Sequence, residues 1–215
     1  MTEAAFLTAT RHSYDALAHH HLYRTGTDTA AKPFDRALLA AFAGYLRQGG
    51  SGPVADVGCG PGWLTAELTE LGVAAFGIDL SPEMVASARL AYPRLGFVVG
   101  SMLELPLPDG GLRGLLASYA IIHVPWQHRP QLFVEFYRAL APGGQLMLAF
   151  QVGDDHRHFD NLDGLPISLD FYRQQPDEVA ELLREAGFAI RVTATREPEP
   201  GLERTRQGYL LAYRS

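Results

Sequence analysis

The stretch VADVGCGPGW, Val54 to Trp63, decides the fold of this chain. The apolar run that ends at Val57 predicts a short buried strand, and the glycines after it allow a tight turn and a close approach of the backbone to a ligand. A helical pattern begins at Trp63, and the first N–H groups of such a helix have no partner within the helix. A strand, a glycine-rich turn and a helix in this order indicate a ligand site at the carboxyl end of the strand.

Two acidic residues narrow the kind of ligand. The glycine spacing is G-x-G-x-G with Pro61 inside it, whereas pyrophosphate-binding turns use G-x-G-x-x-G. Asp56, within the strand end, would repel a pyrophosphate but suits the ammonium group of an amino-acid tail. Asp79 closes the next predicted strand, about twenty residues after the glycines, where an acid accepts hydrogen bonds from ribose hydroxyls. A purely structural turn and a helix-entry carboxylate are the alternatives for these two features.

Strand-like and helix-like segments alternate along the rest of the chain, which predicts an α/β fold with a mostly parallel sheet and helices on both faces. Lys32-Pro33 and Ser81-Pro82 are typical helix starts, with Ser81 as the N-cap residue. The predicted strands span residues 54–57, 74–78, 97–99, 112–118, 145–150, 190–195 and 209–213. The predicted helices span residues 3–18, 32–48, 63–71, 81–92, 129–140 and 176–186.

We expect residues 1–215 to form a single domain, in which residues 1–48 supply an N-terminal helical cap and the first helix. Residues 151–175 are polar and lack a clear period, and we expect a long loop there. Long loops without secondary structure are uncommon in compact domains and usually serve function. We therefore interpret residues 151–175 as a lid or wall of a substrate site.

Composition limits the classes of partner. The chain has 215 residues, 18 basic and 24 acidic, for a net charge of −6, and no basic run stands out, which disfavours a nucleic-acid partner. Cys59 is the single cysteine, so an intramolecular disulfide is excluded and a reducing compartment is expected. A basic, then apolar leader and a run of about 18 apolar residues are both lacking, so we predict a cytoplasmic protein without a membrane partner. A monomer and a homodimer remain equally open.

These motifs together resemble the class I S-adenosylmethionine-dependent methyltransferases, of the bacterial type that acts on small molecules. The resemblance covers nearly the whole chain and includes the two segments already described. Later matching segments are Gly100-Ser101-Met102, LPLPDG (105–110), SYAIIHVP (118–125) and EFYRALAPGGQLMLAF (135–150). The resemblance implies a Rossmann-like seven-stranded sheet whose last strand is antiparallel, an N-terminal helical cap, and S-adenosyl-L-methionine across the carboxyl ends of the first strands.

The resemblance also assigns cofactor-binding roles to individual residues. Asp79 would bind the ribose, and Ser118 would lie near the methionine amine or the reacting methyl group. The other implied contacts are Asp56, Gly58, Cys59 and Gly60 on the methionine part, Leu80 and Met84 on one side of the adenine, Ser101 and Met102 on its other side, and Tyr14 in the cap. The family often has an acid at the position of Ser101 and a second tyrosine at the position of His21, so the adenine and cap contacts differ here.

Three further features bear on chemistry. His123 follows the fourth strand and is the best candidate for a general base, with loop positioning as its alternative. His21 is the second catalytic candidate, as a cap residue that faces the site. Cys59 among glycines suits a small residue beside the cofactor better than a nucleophile. We predict no metal, because His19, His20 and His21 diverge on a helix, and a site would need partners such as His156 or His158.

The sequence thus predicts methyl transfer from S-adenosyl-L-methionine to an oxygen, nitrogen or carbon atom of a small molecule, with S-adenosyl-L-homocysteine as product. Aromatic residues near the expected mouth of the site suit an apolar acceptor. A cyclase or isomerase that keeps the cofactor intact is the main alternative. A nucleic-acid or protein methyltransferase is disfavoured by the net charge of −6, and a nicotinamide-dependent oxidoreductase by the loop spacing and Asp56.

Overall fold

The computed structural model of the chain describes residues 4–19 and 32–215. In these ranges the helices longer than one turn are α1 (Ala5–Leu17), α2 (Pro33–Gln48), α3 (Trp63–Glu70), α4 (Pro82–Ala91), α5 (Arg129–Ala139) and α6 (Pro176–Glu185). The strands of the same ranges are β1 (Val54–Val57), β2 (Ala75–Asp79), β3 (Phe97–Val99), β4 (Leu112–Ser118), β5 (Leu140–Gln151), β6 (His156–Leu162), β7 (Leu165–Tyr172), β8 (Phe188–Arg196) and β9 (Gln207–Arg214). None of these helices is long and apolar enough to cross a membrane.

Seven strands form the main sheet in the order β3-β2-β1-β4-β5-β9-β8. β1 pairs in parallel with β2 and β4, and the last strand, β9, runs antiparallel to both β5 and β8. The predicted sheet, with its antiparallel last strand, is therefore confirmed. The chain order reverses between β1 and β4, and ligands of open α/β sheets bind in the crevice beyond the carboxyl ends of the strands at such a point.

The two faces of the sheet bury different helices, as predicted. Successive residues of β4 alternate between the faces, because side chains of a strand point to opposite sides. Leu115 and Ala117 pack in the cluster that contains α5 and α6, whereas Leu116 packs in the cluster that contains α2. Each face is thus covered by a helical layer, and the site at the carboxyl edge rests on a sheet that is buried from both sides.

Residues 151–175 form a hairpin instead of the expected loop. β6 and β7 pair antiparallel, from His156 opposite Tyr172 to Leu162 opposite Leu165. Asp163 and Gly164 connect them with positive φ angles of 49° and 87°, which suits the right-handed twist of a two-residue hairpin turn. Most of β6 is exposed, so the strand lacks the burial alternation that sequence patterns reveal.

The hairpin packs on α1 and so forms the cap of the sheet edge, which confirms the expected N-terminal helical cap. Ser13 Oγ donates to the carbonyl of Ser168 at 3.1 Å and accepts from the N–H of the same residue at 2.8 Å. Leu17 and Leu169 are buried together beside these bonds. The cap therefore joins two segments about 155 residues apart in the chain.

Candidate functional site

The turn after β1 is held against the end of β2 by backbone hydrogen bonds. The N–H groups of Gly58 and Cys59 donate to the carbonyl of Ile78 at 2.7 and 3.1 Å. Gly58 has a φ of +74°, and a Cβ there would lie 2.4 Å from Ala120 Cβ, so a side chain is excluded by both strain and contact. Gly60 has a φ of +51°, but a Cβ there would meet open space. The turn is thus fixed on one side and open on the other.

Asp79 links this turn to the start of α4. Its Oδ2 accepts from Gly60 N at 2.8 Å, and its Oδ1 accepts from Ser81 N at 2.8 Å. Burial raises the pKa of Asp79, and these backbone donors oppose that rise. Asp79 therefore has the helix-entry role that was considered as its alternative. It also lies at the carboxyl edge of the sheet, beside the open side of the glycine turn. Each carboxylate oxygen still has a lone pair to offer a ligand.

Asp56 lies at the end of β1 and is 1% exposed. Its Oδ2 accepts from Thr65 Oγ1 at 2.6 Å, so the carboxylate ties β1 to α3. Burial, helped by the nearby charge of Asp79, raises the pKa of Asp56 to about 7, and the hydrogen bond from Thr65 opposes this rise. No basic side chain of the described residues contributes to the pKa of either carboxylate. A buried acidic site without a positive partner favours binding of a cation.

Asp15, which the sequence reasoning left without a role, adds a third acid to this edge. Its Oδ1 accepts from Ser81 Oγ at 2.6 Å and from Glu83 N at 3.3 Å. Ser81 Oγ in turn accepts from Met84 N at 3.1 Å, as the predicted N-cap residue of α4. Asp15 also raises the pKa of Asp79. The pair Tyr14-Asp15 in the sequence was the available signal, but only the fold shows that α1 docks on the start of α4.

His123 is buried between the cap and the sheet. Its Nε2 lies 2.7 Å from the hydroxyl of Tyr14, and its Nδ1 lies 2.8 Å from the carbonyl oxygen of Asp170. Because a carbonyl only accepts, Nδ1 carries the proton and Nε2 accepts from Tyr14. Phe171 packs edge-on against the ring at 4.7 Å. Burial lowers the pKa of His123 to about 4, so the imidazole is neutral and weakly basic at neutral pH.

Comparison with known proteins finds similarity to methyltransferases. The family model described as a methyltransferase domain matches residues 54–144. A probable S-adenosylmethionine-dependent methyltransferase of Mycolicibacterium smegmatis is 30% identical over 65% of this chain and 53% of its own length. The demethylmenaquinone methyltransferase of Chlorobaculum tepidum is 33% identical over 61% of this chain and 52% of its own length. By these matches the chain is similar to S-adenosylmethionine-dependent methyltransferases. It spans about half the length of these curated relatives.

Solved methyltransferase structures share the fold. Magnesium protoporphyrin IX methyltransferase of Synechocystis, with bound S-adenosylmethionine, superposes with a TM-score of 0.71 at 18% identity over the full length of both chains. The 1,6-didemethyltoxoflavin N1-methyltransferase of Burkholderia thailandensis, with bound S-adenosylhomocysteine, gives 0.70 at 24% identity over 100% of this chain and 92% of its own. At these identities the likeness establishes the Rossmann-like methyltransferase fold alone.

The adenine contacts implied by the family resemblance are placed unequally. Met102 lies beside the glycine turn, because its Cε would be 3.7 Å from a Cβ on Gly58. Leu80 is partly exposed at the same edge. Met84, in contrast, is 0% exposed and packs with Leu17, Ala18 and Leu169, so the cap covers the side chain expected to touch adenine. Burial of Met84 under α1 follows from the docking of the cap, which no local sequence pattern specifies.

The remaining implied residues have local partners. Ser101 Oγ accepts from Leu103 N at 3.2 Å, which shapes the turn after β3. The Cys59 thiol is buried, which raises its pKa and keeps it protonated, so its environment does not favour a nucleophile. Ser118 ends β4 and lines a cavity under α2.

From the sequence, His21 is a catalytic candidate, and His156 and His158 are the partners that a metal site would need. His21 lies outside the described residues, so its predicted place in the site stays a prediction. His156 Nε2 and His158 Nδ1 both lie within 3 Å of Asp170 Oδ1 on the outer face of the hairpin. Within residues 4–19 and 32–215, no three His, Cys, Asp or Glu side chains are placed to hold a metal ion together.

Proposed function

We propose that this protein binds S-adenosyl-L-methionine at the carboxyl edge of β1 and β2 and transfers its methyl group to a small molecule. The observation that carries the proposal is the carboxylate of Asp79, held by Gly60 N beside the open side of the glycine turn. Asp56 adds negative charge there, and Asp15 lies close enough to Asp79 to raise its pKa, whereas no basic side chain of the described residues contributes to the pKa of Asp56 or Asp79. A ligand with a sulfonium and an ammonium group complements that charge.

The residues at this edge divide the cofactor between them. We assign the ribose hydroxyls to Asp79, whose two oxygens retain lone pairs. We assign the methionine part to the turn formed by Gly58, Cys59 and Gly60, with the open side at Gly60 giving close access to the backbone. Leu80 and Met102 would border the adenine from the partly exposed edge. Met84 supports that edge from beneath as a fully buried side chain.

When bound, S-adenosyl-L-methionine supplies an electrophilic methyl group, and S-adenosyl-L-homocysteine is what remains after transfer. The protein's part is to orient the acceptor and exclude water, which is chiefly a proximity effect. Tyr14 and His123 fit an orienting role better than proton removal. With a pKa of about 4 and both ring nitrogens bonded, His123 is a positioning residue that holds Tyr14 toward the site.

A small-molecule acceptor is supported by the relatives. The proteins named above act, by their names, on demethylmenaquinone, magnesium protoporphyrin IX and 1,6-didemethyltoxoflavin. The net charge of −6 also disfavours a nucleic-acid partner. We also propose a cytoplasmic location, because the single cysteine fits a reducing compartment. For the oligomeric state we propose a monomer or a homodimer.

The proposal is tested by incubating the purified protein with methyl-labelled S-adenosyl-L-methionine and a fractionated extract of small molecules. We expect S-adenosyl-L-homocysteine and an equal amount of labelled product, both lost in Asp79→Ala. The exposed Asp109 offers a matched control, because Asp109→Ala removes a carboxylate far from the turn. Turnover of an acceptor with the cofactor unchanged would point to the cyclase alternative, and absence of any S-adenosyl-L-homocysteine would overturn methyl transfer.

A further inference from the structure

A cavity of about 100 Å³ lies between the first turns of α2 and α3 and the ends of β4, β5 and β9. Its walls combine aliphatic side chains with charged and hydroxyl-bearing ones. They include Leu39, Leu64, Leu116 and Met147. Ser118, which the family resemblance assigns to the region of the reacting methyl group, lies at the same cavity. The cavity therefore adjoins the crevice where the cofactor is proposed to bind.

Tyr119 lines this cavity and has a strained backbone conformation. It has a φ of +52°, a left-handed conformation that is uncommon for residues with a side chain and that concentrates at functional sites. Its N–H donates to the carbonyl of Ala149 at 2.8 Å, which fixes the backbone against β5. The conformation aims the ring at the cavity, where the hydroxyl oxygen is buried.

No described residue makes a hydrogen bond of good geometry to the Tyr119 hydroxyl, although the Tyr209 hydroxyl lies close enough to interact with it. The neighbouring hydroxyl of Tyr209 is already saturated. It donates to Asp35 Oδ1 at 2.5 Å and accepts from Nε and an Nη of Arg196 at 3.2 and 3.0 Å, which uses its one proton and two lone pairs. Burial also raises the pKa of Tyr119, so the phenol stays protonated and remains a donor. A buried donor without a partner is unfavourable, so a ligand with an acceptor atom at this position would be stabilised by the hydrogen bond.

Each charged group at the cavity wall already has an oppositely charged partner. Asp35 lies 3.1 Å from Arg196, Lys32 lies 3.0 Å from Glu203, and Arg36 lies 3.7 Å from Glu67. A charged ligand would have to break one of these pairs and leave its partner uncompensated. The wall therefore favours an uncharged ligand.

We propose that this cavity holds the methyl acceptor, and that Tyr119 donates a hydrogen bond to an oxygen or nitrogen of an uncharged ligand about one ring in size. Aliphatic cavities of about 150 Å³ bind benzene, so a space of this order suits a single ring. Tyr119 is then a specificity-determining residue. The proposal rests on the proposed function, because it names the acceptor class for that reaction.

Phenol and toluene are suitable probes, because they differ only in the group that would meet Tyr119. Each probe is titrated into the 215-residue protein with and without S-adenosyl-L-homocysteine. The ¹³C-methyl signal of Met147, which lines the cavity, reports whether the cavity is occupied. We expect phenol to bind with at least fivefold higher affinity than toluene. Tyr119→Phe should remove that difference and leave toluene binding unchanged.

Two variants control this experiment. Leu64→Trp fills the cavity from its α3 wall and should abolish binding of both probes. Tyr137→Phe removes a hydroxyl that bonds the carbonyl of Ser215, away from the cavity, and should change neither affinity. Circular dichroism and the affinity for S-adenosyl-L-homocysteine show whether each variant is folded.

The outcomes separate this inference from the proposed function. Equal binding of phenol to the wild type and to Tyr119→Phe, or phenol binding that survives Leu64→Trp, would overturn the cavity assignment even if the cofactor binds. Absence of S-adenosyl-L-homocysteine binding would overturn the proposed function. The titrations without cofactor would still decide whether the cavity takes an uncharged ring.

Discussion

The glycine turn and the cap close the same edge of the sheet in different ways. The turn is fixed by short-range backbone bonds to Ile78 and Asp79, within about twenty residues of chain. The cap is fixed by side chains from distant segments, such as Ser13 with Ser168 and Tyr14 with His123. The turn, which is expected to hold the cofactor, is therefore specified by nearby residues in the sequence. The cap, which is expected to select the acceptor, depends on the docking of distant segments.

Removal of the Asp79 carboxylate should have the largest effect on the turn. Asp79→Ala removes the acceptor of Gly60 N and the proposed ribose contact together. We expect the affinity for S-adenosyl-L-methionine to fall by about a hundredfold or more, equivalent to about 2.7 kcal/mol. Isothermal titration calorimetry measures it, and Asp109→Ala should bind like the wild type. An unchanged affinity in folded Asp79→Ala would remove the ribose assignment.

Acid should destabilise the cap through His123. The pKa of His123 is about 4 in the folded protein and about 6.5 when the ring is exposed. Between these two pH values the imidazole is protonated in the unfolded chain but stays neutral in the folded protein, which favours unfolding. This stability is present above pH 6.5 and is lost as the pH falls toward 4. Between pH 7 and pH 4.5 the free energy of unfolding should fall by about 2–3 kcal/mol more in the wild type than in His123→Gln. Urea titrations at the two pH values measure it, and equal losses in both proteins would show that His123 is not buried as a neutral ring.

The two sides of the glycine turn should respond differently to a methyl group. Gly58→Ala adds backbone strain and a contact with Ala120, and should lower the free energy of unfolding by about 2 kcal/mol or more. Gly60→Ala meets open space and adds only strain, about 1 kcal/mol. Chemical denaturation of both variants gives the comparison. Equal losses would contradict a turn that is closed on one side and open on the other.

The buried Asp56 should make cofactor binding depend on pH. Its pKa of about 7 means that the carboxyl group is mostly protonated at pH 5.5 and half ionised at pH 7. If the ionised form binds the cationic cofactor, the affinity should rise about tenfold over that range. Calorimetry at the two pH values tests this, with Asp56→Asn as the control that should flatten the profile. A wild-type affinity that does not change with pH would separate Asp56 from the ligand.

The sequence predicts the region around the turn and helix α1 of the cap well, but it predicts the hairpin of the cap poorly. Strand β4 was placed at Leu112–Ser118, because buried parallel strands are short, apolar runs with clear breaks. The hairpin β6–β7 was interpreted as a loop, because β6 is polar and exposed on nearly its whole length. The dipeptide Asp163-Gly164 was the one local signal for a hairpin turn.

The site shows the same division. Spacing predicts Asp79 and the glycines as cofactor contacts, since a bound nucleoside would fix their positions. The fold places them side by side at the carboxyl edge, and their contact with a cofactor stays a prediction. The hydrogen bonds of His123 could not be predicted, because Asp170 and Tyr14 lie 47 and 109 residues away from it in the chain. The open hydroxyl of Tyr119 could not be predicted either, because it depends on Tyr209, whose own hydroxyl is bonded to Arg196 and Asp35. Contacts of that range depend on the packing of the whole domain, which local patterns do not contain.

The most direct test is a calorimetric titration of the wild-type protein with S-adenosyl-L-methionine at pH 7. We expect saturable binding at one site with micromolar affinity. The carboxylates of Asp56 and Asp79 are buried beside an open glycine turn, and no basic side chain of the described residues contributes to their pKa. Absence of binding by the folded protein would contradict the cofactor assignment and, with it, the proposed function.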